Sequence, residues 1–94
     1  MERVRVTVTY SGRVQGVGFR YAVKAVAAGY DVVGTVCNKA DGSVELVAEG
    51  QRAELGSFCD SIRKSEVGSF IRGERVVWET PTGTLRGFGI AREP

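Results

Sequence analysis

The pattern of apolar and polar positions favours β-strands in five stretches of the chain. In the first, the apolar residues from Val4 to Tyr10 alternate with polar residues, as in a strand that buries one face. The five predicted strands cover residues 4–10, 31–38, 44–49, 75–79 and 85–91. The segment Ala40-Asp41-Gly42 is typical of a turn, so the second and third strands are expected to pair.

Two other stretches repeat apolar residues at the helical spacing of three and four positions. The first predicted helix carries Phe19, Ala22, Val23, Val26 and Ala27, and the second carries Leu55, Phe58, Cys59 and Ile62. Gly29 stands where the first helix would end. Each helix therefore has a single apolar stripe to bury.

The order of these elements is β-α-β-β-α-β with a short strand added at the C-terminal end. Helices with one apolar stripe and strands with one apolar face bury both by packing together. The sequence therefore predicts an α+β fold of the ferredoxin-like kind, with two helices on one face of an antiparallel sheet.

Length and composition add a domain count and exclude some partners. The 94 residues predict a single domain spanning residues 1–94, and the net charge of +2 is too small to indicate nucleic acid or an anionic membrane. No apolar run approaches the ~20 residues that cross a bilayer, and Met1-Glu2-Arg3 does not begin a signal peptide. We therefore expect a cytoplasmic protein.

The chain has two cysteines and no histidine, which narrows its chemistry. Cys37 and Cys59 do not form a CxxC pair, so there are too few soft ligands for a zinc site. We expect them to be reduced and to pack as small apolar residues. Without histidine the usual general base is absent, and no metal or cofactor is expected.

The stretch GRVQGVGFR, residues 12–20, connects the first strand to the first helix. No Ser, Thr, Asp or Asn precedes Phe19 to cap that helix, so the N–H groups of its first turn lack a side-chain acceptor. Such donors at a helix start favour an anion, and Arg20 adds a positive charge there. The alternative is that Gly12, Gly16 and Gly18 only permit a tight connection.

GRVQGVGFR closely resembles the signature of the acylphosphatase family. A second segment, Gly34 to Asn38 continuing through Asp41-Gly42-Ser43-Val44 to Glu49-Gly50, resembles the other signature of that family. Near the end, Pro81-Thr82-Gly83 and Gly87-Phe88 are also similar. The resemblance covers nearly the whole chain and implies the ferredoxin-like fold that the periodicity predicts independently.

The resemblance implies hydrolysis of small acyl phosphates to a carboxylate and inorganic phosphate, without metal or covalent intermediate. Arg20 matches the catalytic arginine of the family, and Asn38 matches the asparagine that positions the attacking water. The implied phosphate-binding residues are Gln15, Gly16, Val17, Gly18, Phe19 and Arg20. Inorganic phosphate is the expected product and inhibitor, and a monomer is expected.

The chain departs from the family pattern at two positions beside Asn38. Thr35 stands where the family usually has an aromatic residue, and Cys37 stands where it usually has a basic or polar residue or alanine. These two residues leave the glycine-rich stretch itself unchanged.

Two other functions remain open at the level of sequence. GRVQGVGFR also occurs in the N-terminal domain of hydrogenase-maturation carbamoyltransferases, so the chain could be a carbamoyl-phosphate-handling domain of a larger protein. The segment from Arg86 to Ala91 resembles part of an RNA-recognition motif, but it lies on the last predicted strand instead of the third. We therefore expect no nucleic-acid partner.

Overall fold

The computed structural model describes residues 2–93, and its elements follow the predicted order. The strands are β1 (Arg3–Gly12), β2 (Val32–Asn38), β3 (Val44–Gln51), β4 (Ile71–Glu79) and β5 (Phe88–Arg92), and the helices are α1 (Phe19–Ala27) and α2 (Arg52–Lys64). A 3₁₀ turn at Gly68–Phe70 precedes β4. The predicted bounds 1–94 include two terminal residues that lie outside the described residues.

The five strands form one sheet in the order β4-β1-β3-β2-β5. The first four pair antiparallel, as predicted, whereas β5 pairs parallel with β2. This follows from the path of the chain, because β4 runs opposite to β2 and residues 80–87 then cross to the other edge, where β5 reverses direction. The sheet is therefore mixed, with the ferredoxin-like arrangement in β4-β1-β3-β2 and β5 added at the edge beside β2.

Both helices cover the same face of the sheet, and the core lies between them. The predicted stripes are confirmed, since Phe19, Val23 and Ala27 of α1 are buried, as are Leu55, Phe58, Cys59 and Ile62 of α2. From the sheet they meet the alternate residues Val6, Val8, Tyr10, Val36, Val44, Leu46 and Ala48. Burial of this apolar area is the main stabilising term for so small a fold.

β4 is longer than the alternation of its residues predicted. It begins at Ile71, where Gly12 at the end of β1 pairs with it across a register shift. A Cβ atom on Gly12, whose φ is 117°, would lie 2.5 Å from the carbonyl oxygen of Phe70. The first glycine of GRVQGVGFR therefore serves close packing of β1 against the start of β4.

The connection between β4 and β5 is fastened to the uncovered face of the sheet by Glu49. Its side chain is 1% exposed and accepts hydrogen bonds from Thr82 N–H (2.9 Å), Thr82 Oγ1 (3.0 Å) and Gly83 N–H (3.1 Å). Arg5 Nη1 lies 3.4 Å from the same carboxylate. Burial disfavours the charged form, but these hydrogen bonds and Arg5 outweigh it and lower the pKa of Glu49.

Both cysteines lie in the interior of the protein. Both are free, and burial raises the pKa of the Cys59 thiol to about 11, so that it stays protonated at neutral pH.

Phe88 of β5, in the segment that resembles part of an RNA-recognition motif, packs edge-on against Phe58 of α2, with ring centroids 5.6 Å apart. Its ring faces the helices and cannot stack on a base, so an RNA platform on β5 is not formed.

Candidate active site

The connection from β1 to α1 turns through two left-handed glycines. Gly16 has φ 77° and Gly18 has φ 81°, a region that no non-glycine residue among those described adopts. A Cβ atom at either position would meet nothing within 4 Å. Backbone conformation, and not packing, therefore requires these glycines.

In the described part of the chain, the N–H groups of this turn are unpaired. Gly18 is the N-cap of α1, it offers no side-chain acceptor, and no acidic residue stands in the first turn. Within residues 2–93, the N–H groups of Gln15 to Arg20 donate to no protein acceptor. Consecutive N–H groups around left-handed residues form an anion-binding concavity, and the positive end of the helix dipole reinforces it. We call residues 15–20 the cradle.

Arg20 supplies the charged side chain of the cradle. It is half-buried in the first turn of α1, and no carboxylate of the described chain lies in ion-pair range of it. The ion pairs among the described residues involve other cations, namely Arg5, Lys39, Arg63 and Lys64. A guanidinium beside unpaired N–H groups is suited to binding two oxygens of one phosphate.

Gln15 joins the cradle to the turn between β2 and β3 through its side chain. Its Nε2 donates to the carbonyl oxygens of Lys39 and Ser43, each at 2.8 Å. The sequence predicted only a backbone role for Gln15. The partners are 24 and 28 residues away along the chain, so no local pattern could reveal them.

Asn38, the last residue of β2, lies directly beside this junction. It shares the helix-facing side of the strand with the buried Val36, because side chains two positions apart lie on the same face. Its Oδ1 atom is buried and accepts no hydrogen bond from the described residues. Thr35 and Cys37, the two departures from the family pattern, point to the opposite face and do not line the site.

Three sets of contacts fix the turn that follows Asn38. Asp41 Oδ1 accepts hydrogen bonds from Ser43 Oγ (2.6 Å) and Ser43 N–H (2.9 Å), which lower the pKa of the carboxyl group. Glu93 accepts a hydrogen bond from Ala40 N–H at 2.7 Å and pairs with Lys39 Nζ at 3.1 Å. Together with Gln15, these contacts limit the positions that Asn38 can take. The role of Glu93 had no signal in the sequence.

The described residues contain neither a metal-binding cluster nor a membrane-spanning helix. Between residues 2 and 93, no three His, Cys, Asp or Glu side chains are grouped so that they could hold a metal ion. Neither helix in this part of the chain has the length and apolar character needed to cross a membrane.

Comparison with known proteins identifies the family. The family model for acylphosphatases matches residues 6–90. An acylphosphatase from Acidothermus cellulolyticus is 40% identical over 90 residues, which are 93% of this chain and 86% of the relative. The crystal structure of acylphosphatase from Bacillus subtilis matches with a TM-score of 0.85 at 33% identity, over 94% of this chain and 98% of that chain. The crystal structure of HypF from T. kodakarensis matches with a TM-score of 0.83 at 26% identity, over 97% of this chain but 12% of that chain. This chain belongs to the acylphosphatase family.

Proposed function

We propose that this protein is an acylphosphatase that hydrolyses the carboxyl–phosphate bond of acyl phosphates to a carboxylate and inorganic phosphate. The observation that carries the proposal is the cradle, in which the N–H groups of residues 15–20 have no protein acceptor and Arg20 has no ion-pair partner among the described residues, in a member of this family. We assign phosphate binding to Gln15, Gly16, Val17, Gly18, Phe19 and Arg20, with Gln15 to Phe19 acting through their N–H groups.

The substrate chemistry suits a site without histidine. The leaving group is a carboxylate, which is stable without a proton, so no general acid is needed. The phosphoryl group passes through a loose transition state with charge on its equatorial oxygens, and positioned donors stabilise that charge. Arg20 offers two parallel N–H donors to these oxygens, which lysine cannot do.

We assign Asn38 to the attacking water. Its buried Oδ1 accepts a hydrogen bond from that water and sets the direction of attack on phosphorus. The P–O bond to the water forms while the P–O bond to the acyl group breaks, with the electron pair leaving on the carboxylate. An amide is not a base, so the proton of the water passes to an oxygen of the phosphate.

Hydrolysis of benzoyl phosphate, followed optically, tests this function. We expect turnover that persists in the presence of a metal chelator and little turnover of a phosphate monoester such as p-nitrophenyl phosphate. Loss of activity with the chelator, or faster hydrolysis of the monoester, would contradict the proposal.

A second candidate is that the chain acts as the carbamoyl-phosphate-handling domain of a larger protein. The likeness to HypF supports it, since the fold matches over 97% of this chain while covering 12% of the HypF chain. Parallel assays separate the two functions. An acylphosphatase hydrolyses benzoyl phosphate efficiently, whereas a dedicated domain prefers carbamoyl phosphate.

We further propose that the chain is a single domain that acts as a monomer in the cytoplasm, with inorganic phosphate as a competitive product inhibitor. The support is the shared core of all its elements and a site built wholly from one chain. Size-exclusion chromatography with light scattering tests the monomer, and inhibition kinetics test the product.

A further inference from the structure

An open groove of about 630 Å³ borders the cradle. Val17 and Gly18 of the cradle form one end of it, and Tyr21 and Ala25 of α1 continue that wall. The facing wall comes from the connection between α2 and β4, with Glu66 and Phe70 among its residues. The groove and the cradle therefore share two residues, and a ligand in one can extend into the other.

The walls of this groove are apolar, with one charged side chain. Tyr21 is 70% exposed although it is a large aromatic residue, and Phe70 is only half-buried. Apolar surface exposed in a concave place favours an apolar ligand, because binding removes that surface from water. Glu66 is the single charged residue of the lining, so an anionic ligand is disfavoured there.

The direction of the reaction places the leaving group on the same side. The cradle follows β1, which lies between β3 and β4 in the sheet. Asn38, to which we assign the attacking water, ends β2, beyond β3, whereas Phe70 leads into β4 on the opposite side. In phosphoryl transfer the attacking and leaving oxygens lie roughly in line across phosphorus. With water on the β2 side, the acyl group points toward β4 and the groove.

We infer that this groove binds the acyl part of the substrate and selects uncharged, apolar acyl groups. The inference rests on the proposed acylphosphatase function and adds to it a substrate class. Tyr21, Ala25 and Phe70 are its specificity-determining residues, and Glu66 disfavours acyl groups that end in a second carboxylate.

Kinetics with three acyl phosphates test the groove. Acetyl, hexanoyl and succinyl phosphate have similar reacting bonds, but they differ in length and terminal charge. We expect kcat/KM for hexanoyl phosphate to exceed that for acetyl phosphate by ~10-fold. One methylene in a closed pocket is already worth about this much, but in an open groove the additional methylenes stay partly in water and contribute less. Succinyl phosphate should be the poorest substrate, and Glu66→Gln should raise its kcat/KM several-fold.

Two variants of α1 form a matched pair for the same assay. Ala25→Glu puts a carboxylate into the groove, whereas Lys24→Gln changes the net charge equally at an exposed neighbour outside the lining. Ala25→Glu should abolish the preference for hexanoyl phosphate and leave acetyl phosphate within about twofold of Lys24→Gln. Tyr21→Ala should reduce the same preference without adding charge.

The outcomes separate the groove from the function itself. Equal kcat/KM for acetyl and hexanoyl phosphate, unchanged in Ala25→Glu, would overturn the groove proposal while the enzyme remained an acylphosphatase. If no acyl phosphate were hydrolysed, the proposed function would fail, and binding of hexylphosphonate would still test the groove. Hexylphosphonate should shift the amide signals of residues 21–25 and 66–70, and inorganic phosphate should not. Identical shifts with both would overturn the inference.

Discussion

Arg20 adds a positive charge to the first turn of α1, where unpaired N–H groups already favour an anion. We expect Arg20→Ala to lower kcat/KM for benzoyl phosphate by at least about 100-fold, the scale for removing one preorganised donor. Arg20→Lys should recover little, because the planar fork is lost. Arg86→Ala, which removes an exposed arginine between β4 and β5, is the control and should be unchanged. Equal losses in both variants would rule out a local role.

Asn38 differs from Arg20 in its proposed partner, which is the water and not the phosphate. Asn38→Ala should therefore lower kcat while leaving the Kd of inorganic phosphate within a few-fold of the original. Arg20→Ala should weaken phosphate binding strongly. Calorimetry and steady-state kinetics on the two variants measure this difference. Parallel loss of phosphate affinity in both would refute the separate roles.

At the scale of elements, Gln15 connects the start of α1 to the turn between β2 and β3. Gln15→Met keeps the length of the side chain but removes both hydrogen bonds, at a cost of about 1–2 kcal/mol in the free energy of unfolding. Because that turn holds Asn38, kcat should also fall, with phosphate affinity little changed. Thermal unfolding and kinetics measure the two effects. The matched control is Gln51→Met, which changes an exposed glutamine whose side chain makes no capping bond. If Gln15→Met lowered the stability but left kcat unchanged, the proposal that Gln15 positions Asn38 would be wrong.

Glu49 fastens the long connection from β4 to β5, and its lowered pKa makes this fastening dependent on pH. A carboxyl group whose pKa is lower in the folded state stabilises fully above its ordinary pKa of about 4.5. That contribution is lost as the pH falls through the lower, folded value. Glu49→Ala removes three hydrogen bonds to the exposed residues Thr82 and Gly83 and leaves Arg5 without its carboxylate, so we expect the free energy of unfolding to fall by about 2 kcal/mol at pH 7.

Urea unfolding at several pH values tests the role of Glu49. The difference in stability between the original protein and Glu49→Gln should be largest near pH 7 and should shrink in acid. The exposed Glu79, which accepts one hydrogen bond from Thr7, provides the control variant Glu79→Gln. A difference that grew toward low pH would mean that the sign of the pKa shift is wrong.

For the whole molecule, the proposed phosphate site predicts that phosphate stabilises the fold, because a ligand that binds only the folded state shifts the unfolding equilibrium. At about 100 times its Kd, phosphate should stabilise the folded state by roughly 2.7 kcal/mol. At roughly 4–8 °C per kcal/mol for a domain of this size, the melting temperature should rise by about 10 °C or more. The rise should saturate with phosphate and shrink in Arg20→Ala, while chloride at equal ionic strength does much less. An unchanged melting temperature would mean that Gly16 and Gly18 only permit the tight connection between β1 and α1.

Comparison of the predictions with the structure separates local from distant effects. Residues such as Val8, Val23 and Phe58 were assigned to the core correctly, since their burial follows from strand and helix periods that neighbouring residues set. The absence of a side-chain cap at Gly18 was also predicted, because capping depends on the residue types directly before the helix. In contrast, the parallel pairing of β5 depends on where residues 80–87 cross, which no local period encodes.

The sequence by itself determined the elements, their order, the apolar faces and the glycines that shape the cradle, because each depends on residues close together in the chain. Only the tertiary structure decided how the site is completed. Gln15 and Glu93 hold the turn that carries Asn38, and Glu49 secures residues 82–83, through contacts between segments more than 20 residues apart. Hydrogen bonds of this kind form only once the sheet has brought the segments together, so they leave no periodic trace in the sequence.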